Sequence, residues 1–471
     1  MNITAPLRRL ARLSPDRPAI IRADASVLTY AMLDRAIDLA AARMAASGLG
    51  PGEPVALPIT GPDESRGLIL ALALARCGIA SADAALPARR RIVNAPTPDA
   101  PAFDLNALCA PAAGAVPEAP IDPDPAVVFR VFASSGTTGT PKPIAVSHGL
   151  MGRRVFANIL APGGPDPCAR IIALDLGIVW GFTAVLRTLW QGGTLVLTNP
   201  REASAAIARH KVRTIVTSPI GLRALLDGLP PAAGPFPLLE TIEIGGSLVP
   251  GPLRDAAIAR FCPGLVSHLG TSEAGGIASA PISALGDRPG AVGFVNPDVT
   301  VEAVGPGDRP LPAGSEGVLR LRSPLAVTGY AGAAAGAVAS FRDGWFYSGD
   351  VGTVWPDGML SLAGREGDVI NCAGVKISAH AVEAALLGLP DVSDAAAFGV
   401  PDRLGLVQLW AAIVAARPIG AAELNAFCAA RLPGQAPCMI LQMTALPRTE
   451  TGKVRKDLLV GYAHAQTPPQ A

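Results

Sequence analysis

The stretch Ser134-Ser135-Gly136-Thr137-Thr138-Gly139-Thr140-Pro141-Lys142 combines two glycines, five hydroxyl side chains and one cation. Glycines let the backbone turn tightly, and its N–H groups, the hydroxyls and the lysine suit a polyphosphate. Strands are predicted on both sides, at 126–133 and 144–147, because Pro141 and Pro143 forbid an immediate helix. A Walker A loop would open directly into a helix, so this is a different phosphate loop, between two strands. The alternative is a polar surface turn without chemistry.

Length and composition describe a large globular chain. It has 471 residues, of which 50% are hydrophobic and 16% charged. A chain of this length exceeds the usual size of a single hydrophobic core, so two or more domains are expected. The formal net charge is +1, without a long run of Lys or Arg, so a nucleic-acid partner is not expected.

The cysteines and the N-terminus favour a cytoplasmic protein. The seven cysteines are scattered without the spacing of a zinc site, which is typical of free thiols in a reducing compartment. Residues 1–9 lack the apolar core of a signal peptide. The apolar run Leu68–Ala75 is cut off by Arg76 before it reaches membrane-spanning length, which predicts a buried helix and no membrane span.

Predicted strands and helices alternate from residue 126 to residue 270, a pattern typical of a largely parallel sheet with helices on both faces. Ligands then gather at the carboxyl ends of the strands. Short strands and Gly/Pro turns after about residue 285 predict a small β subdomain, and residues 81–125 are interpreted as a connector. The predicted fold class is α/β. A large N-terminal domain (1–363) of α/β subdomains plus the β subdomain precedes a small mobile α+β C-terminal domain (364–462) and a disordered tail (463–471).

Five stretches, in order along the chain, carry a resemblance to a known superfamily. They are Ser134–Lys142, Gly270–Glu273, Tyr347–Asp350, Gly364–Asp368 with Gly374–Ile377, and Pro447–Lys453. Together they resemble the adenylate-forming superfamily of acyl-CoA synthetases, peptide-synthetase adenylation domains and luciferases, over nearly the whole chain. The resemblance implies that a carboxylic acid reacts with ATP to give an acyl-adenylate and pyrophosphate. The acyl group then passes to a thiol.

The resemblance also implies roles for individual residues. Glu273 would bind Mg²⁺, a hard cation suited to carboxylate oxygens, and Ser272 would contact the α-phosphate. Lys453 would bridge the substrate carboxylate and the nucleotide, and it completes the catalytic set with Glu273 and Ser272. The implied ATP-binding residues are Ser134, Ser135, Gly136, Thr137, Thr138, Gly139, Lys142, Gly245, Gly246, Gly270, Thr271, Asp350 and Arg365. Among them, Asp350 would accept hydrogen bonds from the ribose hydroxyls.

The acid and thiol sites are less closely specified. Trp180 and Phe182 favour an apolar or aryl acid, with plain helix packing as the alternative for either residue. The other expected residues of the acyl pocket are Pro219, Leu269 and Gly276. By resemblance, the C-terminal domain rotates about Gly367. Gly374 approaches the thiol channel, where the absence of a side chain leaves room for a pantetheine arm.

Three departures from the family pattern concern Leu269, Ser272 and Gly367. Leu269 stands for an aromatic residue, Ser272 for threonine, and Gly367 for aspartate or lysine. None removes a charge that the chemistry needs, so we expect a working acid–thiol ligase that uses ATP, Mg²⁺ and coenzyme A. A carrier protein's phosphopantetheine is the alternative acceptor, and a nucleotide- or acyl-adenylate-binding protein without turnover is the alternative function. A P-loop kinase is disfavoured, because no GK[ST] motif opens a helix.

Overall fold

The computed structural model describes residues 1–59, 64–93, 102–110, 116, 118–119, 121, 124–134, 142–160, 167–332, 340–366, 369–372, 375–401, 407–432, 436–448 and 454–466. The first elements are α1 (Ala5–Leu13), β1 (Pro18–Ile21), β2 (Val27–Thr29), α2 (Tyr30–Ala46), β3 (Val55–Ala56), α3 (Glu64–Arg76), β4 (Ser81–Ala82), β5 (Arg90–Val93), β6 (Ala102–Asp104), α4 (Leu105–Cys109), β7 (Val128–Ser134), β8 (Lys142–Ser147) and α5 (His148–Leu160). Next come β9 (Ala169–Ala173), α6 (Val179–Trp190), β10 (Thr194–Val196), α7 (Ala203–His210), β11 (Val212–Thr217), α8 (Pro219–Asp227), β12 (Thr241–Gly245), α9 (Gly251–Arg260), β13 (Leu265–Thr271), β14 (Gly275–Pro281), β15 (Ala291–Val295) and β16 (Thr300–Val304). The last are β17 (Glu316–Arg322), β18 (Phe341–Arg342), β19 (Trp345–Val354), β20 (Met359–Arg365), β21 (Val369–Cys372), β22 (Val375–Ser378), α10 (Ala379–Leu386), β23 (Val392–Pro401), β24 (Val407–Ala415), α11 (Ala421–Arg431), β25 (Met439–Met443) and α12 (Lys456–Gln466).

The alternating part of the sequence builds the parallel half of the largest sheet. The strand order is β16-β17-β19-β20-β15-β14-β13-β12-β11-β9-β10-β1-β2, with β18 paired to β19. Neighbouring strands from β1 to β13 along this order run parallel, and antiparallel pairing begins between β13 and β14. The β subdomain expected after about residue 285 is therefore an antiparallel continuation of the same sheet.

A second sheet has the strand order β6-β5-β3-β4-β7-β8 and is parallel except for the last pair. Strands β4 to β6 and helix α4 lie in the segment that the sequence analysis interprets as a connector, so that interpretation is wrong for these residues. A two-residue strand such as β4 has no periodicity to detect. It forms because β3 and β7 pair with it on either side.

The main apolar core joins helices α2, α3, α5 and α6 to strands of both sheets. The predicted buried helix is confirmed, because every residue from Leu68 to Ala75 is at most 4% exposed. Among the described residues, no helix is both long and apolar enough to cross a membrane. The seven cysteines are free, as predicted.

The C-terminal part of the chain has its own small sheet. Strands β23 and β24 are antiparallel, and β25 joins β24 in parallel. Helices α10 and α12 pack on β23. The β21–β22 hairpin connects this unit to the end of β20. The boundary predicted between residues 363 and 364 falls within β20 and stays a prediction.

A buried charge network ties the first three helices together. Arg76, at the end of α3, is 0% exposed. It donates to Asp38 Oδ1 at 2.8 Å and to Asp34 Oδ1 at 2.5 Å, and both carboxylates lie on α2. Arg8 of α1 also donates to Asp38 Oδ1, at 2.5 Å. Since the charges are out of water, removal of one partner leaves others without compensation.

The substitution Arg76→Met should lower the free energy of unfolding by about 3–5 kcal/mol, the usual effect of breaking a buried ion pair. The matched control is Arg223→Met, which removes the exposed Arg223–Asp227 pair and should lower it by only about 0.3–0.5 kcal/mol. Urea denaturation followed by circular dichroism measures both. Equal losses in the two variants would contradict a structural role for the buried network.

Candidate active site

Strands β7 and β8 form an antiparallel hairpin that holds both ends of the predicted phosphate loop. Ser134 is opposite Lys142, and Phe132 is opposite Ile144. The strands predicted on both sides of this stretch are confirmed. Residues 135–141 lie outside the described part of the chain, and they include the predicted ATP-binding residues Ser135, Gly136, Thr137, Thr138 and Gly139.

Lys142 is linked to Glu273 through Tyr330, a residue that the sequence analysis did not find. The Lys142 ammonium nitrogen lies 5.0 Å from the centre of the Tyr330 ring. The Tyr330 hydroxyl donates to Glu273 Oε1 at 2.9 Å. The backbone N–H of Ala331 donates to Pro143 O at 2.9 Å, which fixes this segment on β8. The predicted phosphate-binding lysine and the predicted metal-binding carboxylate are therefore neighbours.

Glu273 is held in place through its backbone. Its carbonyl oxygen accepts hydrogen bonds from Arg154 Nη2 at 3.0 Å and from Val327 N at 2.8 Å. Arg154 also donates to Leu325 O at 2.9 Å. Burial lowers the pKa of Arg154 to about 10, while the Glu273 carboxylate acts in the opposite direction. Arg154 therefore stays charged at neutral pH and anchors this turn.

The turn that carries Ser272 and Glu273 connects β13 to β14. Thr271 Oγ1 accepts the N–H of Ala274 at 3.0 Å, so this predicted ATP-binding residue also stabilises the turn. Gly270 is opposite Gly276 across the two strands. Ser272 is half-buried beside Glu273, at the tip of the turn.

Asp350 and Arg365 are paired across β19 and β20. Arg365 Nε donates to Asp350 Oδ1 at 3.0 Å. Burial and the Glu273 carboxylate raise the pKa of Tyr330, and the Arg365 guanidinium opposes this rise. The pairing of Asp350 with Arg365 is the contact that the structure shows between these two predicted residues.

The two glycines that follow β12 differ in their surroundings. Gly246 has a φ of +94°, which favours glycine, and a Cβ built on it would meet nothing within 4 Å. A Cβ on Gly245 would lie 2.7 Å from His268 O and 2.9 Å from the Trp180 ring. Gly246 therefore offers open backbone to a flat ligand, whereas Gly245 is required by close packing.

The residues predicted for the acyl pocket do not all face the same space. Trp180 is half-buried next to Gly245, and its ring centre lies 6.3 Å from that of His268. Phe182 is 0% exposed and packs on Phe129 at 5.5 Å, so the helix-packing alternative applies to it. The remaining residues of the set lie in the following places: Pro219 is buried in the first turn of α8, Leu269 packs partly buried on the β14–β20 core, and Gly276 sits beside Asn296.

Polar residues behind Trp180 were also missed by the sequence analysis. Arg187 Nη2 donates to Glu243 Oε1 at 2.6 Å, and His268 Nε2 lies 3.8 Å from Glu243 Oε2. Burial alone would raise the pKa of Glu243, but nearby positive charge, that of Arg187 first, outweighs burial, so this pKa is lowered. The one available signal was a charged residue inside the apolar strand Thr241-Ile-Glu-Ile244.

Three predicted residues lie outside the described part of the chain: Lys453, Gly367 and Gly374. Arg448 and Val454 form an isolated antiparallel bridge on either side of the Lys453 segment. The roles of these three residues stay predictions.

Comparison with known proteins identifies the family. Residues 80–331 match the AMP-binding enzyme family, and residues 381–453 match the AMP-binding enzyme C-terminal domain. A feruloyl-CoA synthase from an Amycolatopsis species is 30% identical, over 96% of this chain and 96% of that protein. The chain belongs to the AMP-binding enzyme family.

Further relatives of this AMP-binding enzyme include ligases with different acceptors. A salicyl-AMP ligase/salicyl-S-ArCP synthetase from Mycobacterium tuberculosis is 29% identical over 98% of this chain and 90% of its own. Among solved structures, the O-succinylbenzoate coenzyme A synthetase from Bacillus subtilis, in complex with ATP and magnesium ion, has a TM-score of 0.85. It is 22% identical and covers 96% of this chain and 98% of its own, so this similarity shows the fold alone.

The predicted superfamily and fold class are confirmed. The relatives named as CoA synthases and ligases also bear out the predicted enzyme class, an AMP-forming acyl-CoA synthetase. The individual roles of the site residues are not tested by these similarities and stay predictions.

A second charged group, at the start of α3, lies near the end of β9. Burial, with a smaller effect of the Asp175 carboxylate, raises the pKa of Glu64 to about 7. Since the folded protein then holds a proton that the unfolded chain releases above its ordinary pKa of 4.5, the stability contributed by Glu64 falls as pH rises from 4.5 to about 7.

The substitution Glu64→Gln should therefore leave the free energy of unfolding unchanged near pH 4 and raise it by about 1–3 kcal/mol at pH 8. Urea denaturation at a series of pH values measures this difference. The control Glu423→Gln should instead lower the free energy of unfolding at pH 8, because Arg417 lowers the pKa of that exposed carboxyl. A Glu64→Gln gain that does not change with pH would contradict the raised pKa.

Proposed function

We propose that this AMP-binding enzyme is an ATP- and Mg²⁺-dependent ligase that joins a carboxylic acid to the thiol of coenzyme A through an acyl-adenylate. The observation that carries the proposal is the chain of contacts from Lys142 through Tyr330 to Glu273. It joins the base of a phosphate loop to a buried carboxylate. Positive charge for the phosphates and an oxygen ligand for their counter-ion thus lie in one place.

The first step has an electrostatic problem, because an anionic carboxylate must attack the anionic α-phosphate of ATP. Groups that stabilise the negative charge of the transition state are therefore required. In the proposed arrangement, residues 134–142 hold the β- and γ-phosphates through backbone N–H groups, hydroxyls and Lys142. Ser272 contacts the α-phosphate, and Lys453 bridges it to the substrate carboxylate.

The donor set around Glu273 suits Mg²⁺. Among the described residues, no cluster of three or more His, Cys, Asp or Glu side chains could hold a metal ion by itself. Mg²⁺ is usually bound by one or two carboxylates together with substrate phosphates, which fits a single buried glutamate beside the phosphate loop. When bound, the ion would neutralise phosphate charge. The role of the protein is to hold the Glu273 carboxylate in position through Tyr330 and Arg154.

The nucleoside is proposed to lie between the open backbone of Gly246 and the Asp350–Arg365 pair. Asp350 accepts hydrogen bonds from the ribose hydroxyls, and Arg365, already 3.0 Å from Asp350, orients that carboxylate. Gly245, Gly270 and Thr271 shape the turns on which this pocket is built. Rotation of the C-terminal domain (364–462) about Gly367 then exchanges Lys453 for Gly374 and opens a channel for the pantetheine thiol.

The acceptor is proposed to be coenzyme A, with the phosphopantetheine of a carrier protein as the alternative. ATP–pyrophosphate exchange over a panel of carboxylic acids tests the first half-reaction. Thioester formation with coenzyme A or with a phosphopantetheinylated carrier protein tests the second. Exchange with no acid would refute the ligase and favour a binding protein without turnover.

Lys453→Ala should lower the rate of acyl-adenylate formation about 10²–10³-fold, because one preorganised cation is lost from the transition state. Pyrophosphate exchange measures the rate. The control is Lys456→Ala, which removes a lysine that pairs with Glu383 at 3.1 Å within the C-terminal unit. Equal rates in the Lys453→Ala variant and the parent enzyme would rule out the proposed role.

Tyr330→Phe should raise the Mg²⁺ concentration needed for half-maximal exchange about tenfold, the equivalent of one hydrogen bond to a charged group. The aromatic ring beside Lys142 is kept, so the KM for ATP should change less. Magnesium titrations of the exchange rate measure both effects. Tyr462→Phe, at an exposed position on α12, is the matched control and should behave as the parent enzyme. A magnesium requirement unchanged by Tyr330→Phe contradicts the positioning role.

A further inference from the structure

A row of polar side chains lies between helix α6 and the parallel sheet, behind Trp180. Gly245 is opposite His268 and Glu243 is opposite Val266 in the β12–β13 register, so Glu243 and His268 face the same side of the sheet. Trp180 and Arg187 are seven residues apart on α6, which puts both on one face of that helix. The helix face and the sheet face meet in the Arg187–Glu243 contact of 2.6 Å.

Water reaches the part of this row that lies nearest Trp180. The His268 side chain is 22% exposed and that of Glu243 is 11% exposed, although helix α6 covers this face of the sheet. Trp180 is also half-buried. Because these side chains are partly exposed although α6 covers them, they lie beside an opening to solvent. At the carboxyl end of β12, Gly245 packs against His268 O and the Trp180 ring, and Gly246 follows it in the chain.

Glu243 and His268 leave a gap that suits a hydroxyl group. The distance of 3.8 Å between Glu243 Oε2 and His268 Nε2 is too long for a hydrogen bond. A hydroxyl oxygen can lie within hydrogen-bond distance of both atoms, about 2.7–3.0 Å. Burial lowers the pKa of His268, so its ring is neutral and carries one N–H donor. The hydroxyl would donate to the carboxylate and accept from the ring.

The surrounding charges disfavour a cationic ligand. Arg170 is 2% exposed, and it interacts electrostatically with Arg187 and Glu243. Within the described part of the chain, the Nε atoms of both arginines have no hydrogen-bond partner. Arg187 donates to the Glu243 carboxylate, and the charge of Arg170 also acts on that carboxylate. An ammonium group on the substrate would be repelled.

We infer that Glu243 and His268 determine specificity in the acyl pocket, and that they select an acid whose flat, apolar body ends in a neutral hydroxyl group. The inference rests on the proposed function, since it concerns the acid that is adenylated. Trp180 forms an aromatic wall for the body of the acid. Arg187 acts as a positioning residue, because it holds Glu243 Oε1 and leaves Oε2 directed toward His268.

The first test uses the full chain with ATP, Mg²⁺ and matched acids, and reads AMP release. Benzoate and cinnamate are compared with their ring-hydroxylated isomers, with 4-(aminomethyl)benzoate and with unbranched aliphatic acids. At least one hydroxylated isomer should exceed its parent acid by about tenfold or more in kcat/KM, the effect of one hydrogen bond. The aminomethyl acid should be the poorest aryl substrate.

The second test assigns the preference to residues. His268→Leu removes the donor, and the double substitution Arg187→Met/Glu243→Leu replaces the buried pair by apolar side chains, a change that folded proteins often tolerate. Each should reduce the ratio of kcat/KM between the hydroxylated and parent acids to about one, because the hydrogen bond available only to the hydroxylated acid is lost. The matched control is Arg213→Met/Glu240→Leu, an exposed pair at 2.7 Å beside the same strand, which should keep the ratio.

The outcomes separate the two proposals. No AMP release with any acid contradicts the proposed function itself. Turnover that favours the parent aryl acids, the aminomethyl acid or only aliphatic acids leaves the ligase intact and overturns this inference. A hydroxyl preference that survives in the His268→Leu variant overturns the assignment to these residues. If a variant does not fold, the preference of the parent enzyme still decides whether a hydroxyl is selected.

Discussion

The site depends on the hydrogen bond from the Tyr330 hydroxyl to Glu273, with Lys142 against the same ring. Lysine and glutamate come from segments more than 100 residues apart, on different sheets, and neither sheet alone could hold them together. Tyr330 connects them because its own segment is fixed at both ends. Ala331 donates to Pro143 on β8, and Val327 donates to Glu273. A charged cation and a carboxylate are thus held close without forming a direct salt bridge that would neutralise both.

Arg154 stabilises this arrangement through the backbone. It is 2% exposed and donates to two backbone carbonyls, those of Leu325 and Glu273. A buried guanidinium that binds carbonyl oxygens fixes the backbone while leaving the Glu273 carboxylate available to other groups. Since burial of an unpaired charge is costly, the hydrogen bonds from Nε to Leu325 O and from Nη2 to Glu273 O constrain the two segments that this arginine joins. The turn that presents Glu273 is therefore rigid before any ligand arrives.

Much of this fold was predictable from local pattern. The β7 and β8 strands around the phosphate loop, the buried helix α3 and the helices from α6 to α9 follow from apolar runs and periodicity. Strands β4 to β6 could not be predicted in this way, because they are only a few residues long and form through pairing with their neighbours. Phe182 and Trp180 illustrate the same limit within one helix. They are two residues apart and so point about 200° apart, and only the packing decides which one faces the core.

The site residues divide in the same way. Motif residues such as Glu273 and Asp350 were identified from short local patterns. Tyr330, Arg154 and His268 were not, because their roles arise from long-range contacts and from the register between strands, which no local pattern encodes. His268 is placed by its pairing with Gly245, and Glu243 by its position two residues before that glycine. A sequence could reveal only that Glu243 is a charge inside an apolar strand.

That buried charge is the strongest reason to assign chemistry to the space behind Trp180. Arg170, Arg187 and Glu243 are each less than 10% exposed, and a buried ion pair usually contributes less to stability than well-packed apolar side chains of similar volume. Arginine N–H groups that find no partner make the site costlier still. If stability alone governed this interface, aliphatic residues would fill it, as they do on the opposite face of the same sheet around Ile171, Ile215 and Ile242. The polar side chains are instead next to His268, whose side chain is 22% exposed, and Trp180, where we propose that the acid binds.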